Sequence, residues 1–191
     1  MTKVFIGGSR YIRQLNQTVT ERLNNIINNN YQVLLGDANG ADKAVQRFLY
    51  EAHYNNVLVY CSGNVCRNNI GNWEVAHVPA PVNLHGNRFY MVKDAQMAKN
   101  ADYGFMLWDG KSPGTLNNVF NLLLNKKKVL IYYSPEKSFY TISKLPDIER
   151  LLTKCTPLEL IKFEKKIKLS ELKNMIKDLD QINFDLYINS Q

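Results

Sequence analysis

KVFIGGSR, residues 3–10, contains the pattern from which the architecture of this chain can be argued. Val4–Ile6 is a run of β-branched and aromatic residues, which is typical of a buried strand. The glycine pair Gly7–Gly8 ends the run, because glycine favours a turn. Apolar residues then recur at helical spacing over residues 15–29. We therefore interpret this region as a strand, a glycine turn and a helix.

The same unit is repeated along the chain. Tyr31–Leu35 is a second strand candidate that ends at Gly36, and residues 41–53 resume a helical pattern. Further strands are predicted at Val57–Tyr60, Tyr103–Trp108 and Val129–Tyr133, and further helices at 89–100 and 116–124. Strands that alternate with helices predict a parallel sheet, because parallel connections need a long crossover. The expected fold class is α/β, a doubly wound and mainly parallel Rossmann-like sheet.

Two regions do not follow this alternation of strands and helices. Residues 61–88 are rich in Asn and Gly, and we interpret them as a long loop with one short strand near Trp73–Val78. Beyond Pro146 the chain becomes charged and helical, with helices predicted at 147–154, 158–165 and 170–180. The predicted organisation is a nucleotide-binding domain over residues 1–145 and a small helical extension over residues 146–191.

Composition and charge limit the function only loosely. A hydrophobic fraction of 45% and a charged fraction of 21% are ordinary for a globular protein. No signal peptide or membrane span is visible, so we expect a soluble, cytoplasmic protein. The net charge is +7, and its excess lies in residues 1–150, which hold 17 Lys and Arg against 11 Asp and Glu. A basic surface attracts nucleotides, nucleic acid and acidic partners alike, so charge does not choose among them.

Three glycine-containing turns follow predicted strands, at Gly7–Arg10, Gly36–Asp42 and Asp109–Thr115. In a doubly wound sheet, ligands bind at the carboxyl ends of the strands, where backbone amides and helix N-termini can hold phosphate. Hydroxyl groups and cations in these turns would assist, and Trp108 either stacks on a base or packs in the core. The predicted binding residues are Gly7, Gly8, Ser9, Arg10, Gly36, Asp37, Gly40, Ala41, Trp108, Asp109, Gly110, Lys111, Ser112, Gly114 and Thr115.

Carboxylates in or beside this cleft are candidates for acid or base chemistry. Two of Asp37, Asp42, Asp94 and Asp109 could pair, which would raise one pKa. The alternative is that Asp37 and Asp42 only cap the second helix, since Asp is favoured at helix N-termini.

The cysteines and histidines suggest neither a metal nor a disulfide framework. Cys61 and Cys66 lie too far apart for the usual zinc spacing, and His77 and His85 do not form a compact second pair. We therefore predict no metal. Three cysteines are a sparse, odd set, so we also expect no disulfide framework.

The three turns resemble the SLOG superfamily, which includes the LOG phosphoribohydrolases and the DNA-processing protein of natural transformation. The motifs GGSR at 7–10, GDxxGAD at 36–42 and WDGxSxGT at 108–115 look most like its small bacterial branch. The resemblance covers about residues 1–135. It implies a Rossmann-like fold and a nucleotide-type ligand. Members of the superfamily often pair through helices beside the sheet, so it also implies a homo-oligomer.

The resemblance also carries an expectation about catalysis. In LOG enzymes an Arg-Lys pair lies four and three residues before a methionine, and with Met97 in that role the pair falls on Lys93 and Asp94. The LOG glutamate falls on Asn118. Lys93 keeps a positive charge without the planar guanidinium, and Asn118 cannot act as a base. These changes leave nucleotide binding in place and weaken the case for hydrolysis by the LOG route.

Two functions are therefore considered. The first is a sensor or carrier of a small nucleotide, such as an adenosine, ADP-ribose or NAD-type ligand, with no cofactor required. The alternative is a hydrolase or transferase at a ribosyl bond, of the phosphoribohydrolase or deoxyribosyltransferase type, that uses Asp42, Lys93, Asp94 and Asn118. Binding of single-stranded nucleic acid ranks last, because no dedicated module is visible.

Overall fold

The computed structural model describes residues 1–81 and 83–189. Val82 of the predicted loop, and Ser190 and Gln191 of the predicted extension, lie outside the described residues. The strands are β1 (Lys3–Gly8), β2 (Gln32–Gly36), β3 (Val57–Ser62), β4 (Glu74–Val78), β5 (Tyr103–Trp108), β6 (Lys128–Tyr133) and β7 (Ser138–Ile142). The helices are α1 (Gln17–Asn28), α2 (Ala41–Glu51), α3 (Asn87–Asn100), α4 (Pro113–Leu124), α5 (Leu145–Leu152), α6 (Pro157–Ile167) and α7 (Leu169–Asn189).

Within these residues the strands form one sheet in the order β4-β3-β2-β1-β5-β6-β7. The pairs from β4 to β6 are all parallel, and β7 pairs antiparallel with β6. The predicted fold class, a doubly wound and mainly parallel α/β sheet, is confirmed. The prediction missed β7, which follows β6 after a turn of four residues in which Lys137 has a φ of +51°. A strand so short and so close to its neighbour leaves no room for the helical crossover that the prediction was based on.

Local sequence sets the helix starts that matter for the site. Asn16 caps α1, because its side chain accepts a hydrogen bond from the amide of Val19 at 3.0 Å. Ser112 caps α4 in the same way, and Pro113 occupies the first helical position, where its missing N–H costs nothing. Gly40 precedes α2, and no side chain caps that helix.

The helices cover the sheet on both faces. Val19 and Leu23 of α1 and Val45 of α2 pack on one face, against residues such as Leu35 and Leu107. The other face carries α3 and α4, and the C-terminal helices join the same core: Ile148, Phe163 and Ile176 are buried in one cluster with Val119 and Phe120. Helix α5 begins at Leu145, next to the predicted start of the helical extension at residue 146. The division into two domains stays a prediction. No helix in residues 1–81 and 83–189 is long and apolar enough to cross a membrane.

The strand order places a switch point between β1 and β5. From β1 the chain moves outward through β2, β3 and β4, and then returns to β5 on the opposite side of β1. Connections that leave β1 and β5 for opposite faces open a crevice at the carboxyl ends of these two strands. Two of the three predicted turns, Gly7–Arg10 and Asp109–Thr115, border this crevice.

Candidate functional site

Ser9 joins the three predicted turns. It is fully buried, and its hydroxyl donates to Asp109 Oδ2 at 2.8 Å. Its carbonyl accepts from the amide of Ala41 at 3.0 Å, which ties the turn after β1 to the turn after β2. The expectation that the three turns lie together at one edge of the sheet is confirmed.

Glycine is needed where the turns touch one another. A Cβ atom on Gly8 would lie 2.4 Å from the carbonyl oxygen of Leu107 and 2.8 Å from the Cβ of Ala41. Gly40 has a φ of +83°, and a Cβ there would lie 2.4 Å from the Cα of Arg10. Both positions therefore serve the packing of turn against turn.

The backbone amides in the turn after β5 are less available than the sequence suggested. Asp109 Oδ1 accepts from the amides of Lys111 at 3.1 Å and Ser112 at 2.9 Å, and Ser112 Oγ accepts from the amide of Thr115 at 3.3 Å. The expectation that these amides face a phosphate is wrong for this conformation, because the turn satisfies them itself. The amide of Gly114 is different, since it makes no hydrogen bond within residues 1–81 and 83–189.

The two hydroxyl groups expected to donate to phosphate are also engaged. Ser9 Oγ donates to Asp109, and Thr115 Oγ1 donates to Ser112 Oγ at 3.0 Å. Gly7 and Gly110 are buried as well: a Cβ on Gly7 would lie 3.2 Å from the ring of Phe5, and one on Gly110 would lie 3.0 Å from the ring of Tyr133. These residues hold the turns in place.

Trp108 packs in the core, so the stacking role considered for it is wrong for this structure. The residue is 1% exposed, and its ring lies 5.7 Å from that of Tyr133 and 6.1 Å from that of Phe163. Its indole N–H donates to the carbonyl of Ser112 at 3.1 Å. The buried side chain therefore supports the turn after β5 through this hydrogen bond, and neither face of its ring is open to a base.

A positively charged groove of about 870 Å³ opens between the loop that follows β1 and helix α2. We call it the basic groove and define it by its four cations, Arg10, Arg13, Lys43 and Arg47. None of the four forms an ion pair with a residue that the structure describes. Gly40, at the uncapped start of α2, also lines the groove. Of the predicted site residues, Arg10 and Gly40 thus face an open cavity.

Sequence reasoning missed three of the groove cations. Lys43 and Arg47 lie four residues apart, so they occupy the same side of α2. That spacing was visible in the sequence, but a pair of cations on a helix is more often a solvated face. Arg13 gave no signal at all, because it lies in a loop without periodicity.

On the other side of the Gly36 turn lies a second collection of charges, the buried charge cluster, formed by Asp37, Asp42, Arg67, Lys93 and Asp94. Lys93 Nζ lies 2.5 Å from Asp94 Oδ1 and 3.9 Å from Asp37 Oδ1. Asp37 also accepts from the amide of Arg67 at 3.0 Å and from its guanidinium. Asp42 accepts from the amide of Ala38 at 3.2 Å. The catalytic candidates Asp42, Lys93 and Asp94 therefore come together, as the sequence predicted, but in a largely closed position.

Gly36 makes room for this cluster. A Cβ atom there would lie 2.4 Å from Asp42 Oδ2 and 2.7 Å from Lys93 Nζ. Arg67, which the sequence analysis did not single out, covers the outside of the cluster, with its guanidinium 3.8 Å from the ring centroid of Tyr90. It lies in the irregular segment between β3 and β4, where no pattern marks it.

Burial and pairing shift the pKa values in the cluster in different directions. Burial raises the pKa of Asp42 to about 6, and the charge of Lys93 opposes the rise without cancelling it. Burial would also raise the pKa of Asp37, but the hydrogen bonds from Arg67 and the charge of Lys93 outweigh it, so that pKa lies below its usual value. Burial would lower the pKa of Lys93, but Asp94, Asp42 and Asp37 hold it above its usual value. Lys93 is thus positively charged, and Asp42 is a weaker acid than an ordinary aspartate.

Asn118 lies inside α4 with an unpaired polar atom. The residue is 7% exposed, and its Oδ1 has no hydrogen-bond partner in the described part of the chain. A buried acceptor without a donor is uncommon in native proteins. Among the catalytic candidates, Asn118 is thus the residue with a buried acceptor that no described residue satisfies.

The cysteines correct one expectation. Cys61 and Cys66 form a disulfide, with their Cα atoms 5.3 Å apart, although the sequence analysis expected none. Spacing could not reveal the bond, because the turn that brings Cys66 back over the end of β3 is irregular. Cys155 is a buried free thiol. His77 Nδ1 lies 2.9 Å from the carbonyl oxygen of Gly63.

Comparison with known proteins assigns no family. No family model matches the chain, and no curated protein matches it.

Proposed function

We propose that the protein binds a small nucleotide, of the adenosine, ADP-ribose or NAD type, and acts as its sensor or carrier. The observation that carries the proposal is the basic groove, where four cations with no ion-pair partner among the described residues line a cavity beside the three joined turns. One carboxylate, Glu51, also lines the cavity, so the four cations leave it with a net positive charge. Like charges that line one cavity repel one another, and an anion that enters the groove relieves that repulsion.

In this proposal the phosphates are held mainly by side chains, because the amides after β5 are already bonded. Arg10, Arg13 and Arg47 can each offer two parallel N–H donors to a phosphate, and Lys43 supplies a point charge. The start of α2 adds the positive end of a helix at Gly40, where the amide of Ala41 is bonded to Ser9 but no side chain caps the helix. A volume of about 870 Å³ is within the usual range for small-molecule sites, roughly 300–1,000 Å³.

Tyr11 is suited to contact the base. It is 79% exposed and lines both the basic groove and a neighbouring cavity of about 460 Å³, whose lining also includes Asn16 and Tyr132. Exposed tyrosine rings stack on bases with little loss of side-chain entropy. Tyr11 thus takes the stacking role that burial denies to Trp108.

A titration tests the proposal. Isothermal calorimetry with AMP, ADP-ribose and NAD should show binding to the native protein. The double variant Arg13→Glu and Arg47→Glu should weaken it by at least about 100-fold, because two attractive charges become repulsive. The matched control, Lys165→Glu and Lys177→Glu, changes the net charge equally at exposed positions on α6 and α7 and should retain binding. Equal affinities for the two double variants would contradict the groove assignment.

Gly114→Val separates the groove from the start of α4. A Cβ atom at Gly114 would meet no atom within 4 Å, so we expect the fold to tolerate a small side chain there. A loss of binding in this variant would show that the ligand reaches the free Gly114 amide as well. Unchanged binding would confine the phosphates to the groove.

A ribosyl-bond hydrolase or transferase is the second candidate. It is favoured by a carboxyl group, Asp42, whose pKa is about 6, beside the buried ammonium of Lys93. An acid with that pKa can exchange protons near neutral pH. Incubation with nucleoside monophosphates and chromatography for free base tests it. Release that disappears in Asp42→Asn would support the enzyme, and no release above background would support the sensor.

A further inference from the structure

The disulfide between Cys61 and Cys66 lies next to the residue that covers the buried charge cluster. Cys61 belongs to β3 and is fully buried, whereas Cys66 is half-buried in the loop beyond it. The bond closes the short loop between them and fixes where the chain turns back toward β2. Arg67 follows Cys66 directly in the sequence, so the bond also fixes the position of the Arg67 backbone.

Arg67 and its neighbour bind the end of β2 through several hydrogen bonds. The amide, Nε and terminal nitrogen of Arg67 all donate to the carboxylate of Asp37. Asn68 Nδ2 donates to the carbonyl of Asp37 at 2.8 Å and to Asn39 Oδ1 at 3.2 Å. Gln46 of α2 holds the next part of the loop, because its Oε1 accepts from the amide of Ile70 at 3.0 Å.

Asp37 depends on this loop for its neutralisation. Its side chain is 2% exposed, and its other cation, Lys93, lies 3.9 Å away and is shared with Asp94. A buried carboxylate that loses its closest cation is strongly destabilised. The position of the loop and the charge state of the cluster are therefore coupled.

We propose that the Cys61–Cys66 disulfide is a redox-sensitive latch that holds Arg67 on Asp37, and that its reduction releases the loop from the buried charge cluster. The reductant is a dithiol. One of its thiolates attacks Sγ of the more accessible Cys66, and Cys61 leaves as a thiolate that takes a proton. The second thiol of the reductant then attacks the mixed disulfide, so that Cys66 is left as a thiol and the reductant leaves as its own disulfide.

Thermodynamic linkage makes the latch testable without any ligand. If the bonded loop favours the disulfide, then removal of the Arg67–Asp37 contacts must favour the dithiol by the same factor. Wild type and Arg67→Gln are equilibrated in buffers with different ratios of reduced to oxidised dithiothreitol. Free thiols are then trapped with a maleimide and counted by mass spectrometry. We expect the equilibrium of Arg67→Gln to shift about tenfold toward the dithiol, which is about 30 mV for a two-electron couple.

One further variant serves as a control for this equilibrium, and another serves as a second test. Arg88→Gln removes an exposed cation from α3 and should leave the equilibrium unchanged. Asp37→Asn should shift it in the same direction as Arg67→Gln, since it removes the other half of the pair. Equal equilibria for wild type, Arg67→Gln and Asp37→Asn would overturn the proposal.

A reciprocal measurement does not depend on the folding of those variants. Cys66→Ser imitates the reduced loop, and hydrogen exchange at the amides of residues 66–70 should become at least about tenfold faster than in wild type. Cys155→Ser removes the buried free thiol and should leave exchange in this loop unchanged. Unchanged exchange in Cys66→Ser would also overturn the latch.

A consequence for ligand binding rests on the proposed function. Asn68 contacts Asn39, which lines the basic groove, so reduction should weaken nucleotide binding several-fold. If the redox equilibrium behaves as expected and no nucleotide binds in either state, the latch stands and the proposed function fails.

Discussion

The basic groove and the buried charge cluster lie on either side of the turn that follows β2. Charges are paired with one another in the cluster, whereas the cations of the groove are not. In the cluster, Arg67 and Lys93 form ion pairs with Asp37 and Asp94, and Lys93 also interacts with the charge of Asp42. In the groove, four cations line an open cavity and have no ion-pair partner among the described residues. The first arrangement stabilises or constrains the fold, and the second leaves its charge available to a ligand.

This difference shows why the most noticeable charged residues of a sequence need not be the ones that are open to a ligand. Asp37, Asp42 and Lys93 follow recognisable motifs, yet their charges are directed at one another. Arg13 and Arg47 belong to no motif, yet they face solvent in a cavity. Substitution should therefore damage the fold in one region and binding in the other.

The largest effect is expected for Lys93→Met. The change leaves Asp37, Asp42 and Asp94 without their shared ammonium, and removal of one partner from a buried ionic group costs about 3–5 kcal/mol. Urea denaturation measures the loss of unfolding free energy. Lys99→Met, at an exposed position on the same helix, should cost less than about 0.5 kcal/mol. Similar losses for the two variants would remove the distinction between a buried and a solvated cation.

The pH dependence of stability should come next. Asp42 has a pKa of about 6 in the folded chain and an ordinary value near 3.8 when unfolded. Between these values the folded state binds more protons, so the unfolding free energy should fall as the pH rises from about 4 to about 6. At about 1.4 kcal/mol per pKa unit, the fall is roughly 3 kcal/mol.

Asp42→Asn isolates this contribution. The variant should lose the fall in unfolding free energy over that pH range, whereas Asp178→Asn, at an exposed position on α7, should keep it. Below pH 4 both proteins should lose stability as the pH falls, because the pKa of Asp37 is lowered in the folded chain and its pairing is lost on protonation. Denaturation curves measured at intervals from pH 3.5 to pH 7 provide the comparison. An unchanged slope in Asp42→Asn would show that this carboxyl does not titrate in the cluster.

Gly36→Ala should have an intermediate effect. The added methyl group would overlap Asp42 Oδ2 and Lys93 Nζ, and overpacking of a closed site costs about 1–3 kcal/mol. Gly114→Ala is the matched control, since a Cβ there meets no atom within 4 Å. Thermal unfolding of the two variants measures the difference in their stability. Equal stability would mean that the cluster can move away from Gly36 at little cost.

The sequence predicted the fold and the meeting of the turns better than it predicted the contacts within them. Periodicity and the glycines after Ile6, Leu35 and Trp108 were enough to place three turns at one edge, because parallel strands end on the same side. The partners of Ser9 and Asp109 were not predictable, since an oxygen or amide that looks free in sequence can be satisfied by a residue 100 positions away.

The burial of single side chains and the contacts of irregular segments could not be predicted from the sequence either. From sequence, Trp108 was equally suited to stack on a base and to pack in the core. It packs in the core because Phe163 of α6, 55 residues further along the chain, lies against its ring. Arg67 and the bond between Cys61 and Cys66 lie in a segment that is neither helical nor extended, where no periodicity relates one side chain to another.

The smallest effect on stability is expected in the groove. Arg13→Ala and Arg47→Ala each remove one of four cations that share the groove with a single carboxylate, Glu51. The repulsion among the cations falls, so the unfolding free energy should stay the same or rise by about 0.2–0.5 kcal/mol at low ionic strength. Any gain should vanish at 1 M sodium chloride, because salt at that concentration screens exposed charges beyond about 3 Å. Lys165→Ala, at an exposed position on α6, provides the control for the loss of a cation elsewhere. A loss of more than about 1 kcal/mol in either groove variant would mean that these arginines stabilise the fold, and the contrast with the buried charge cluster would disappear.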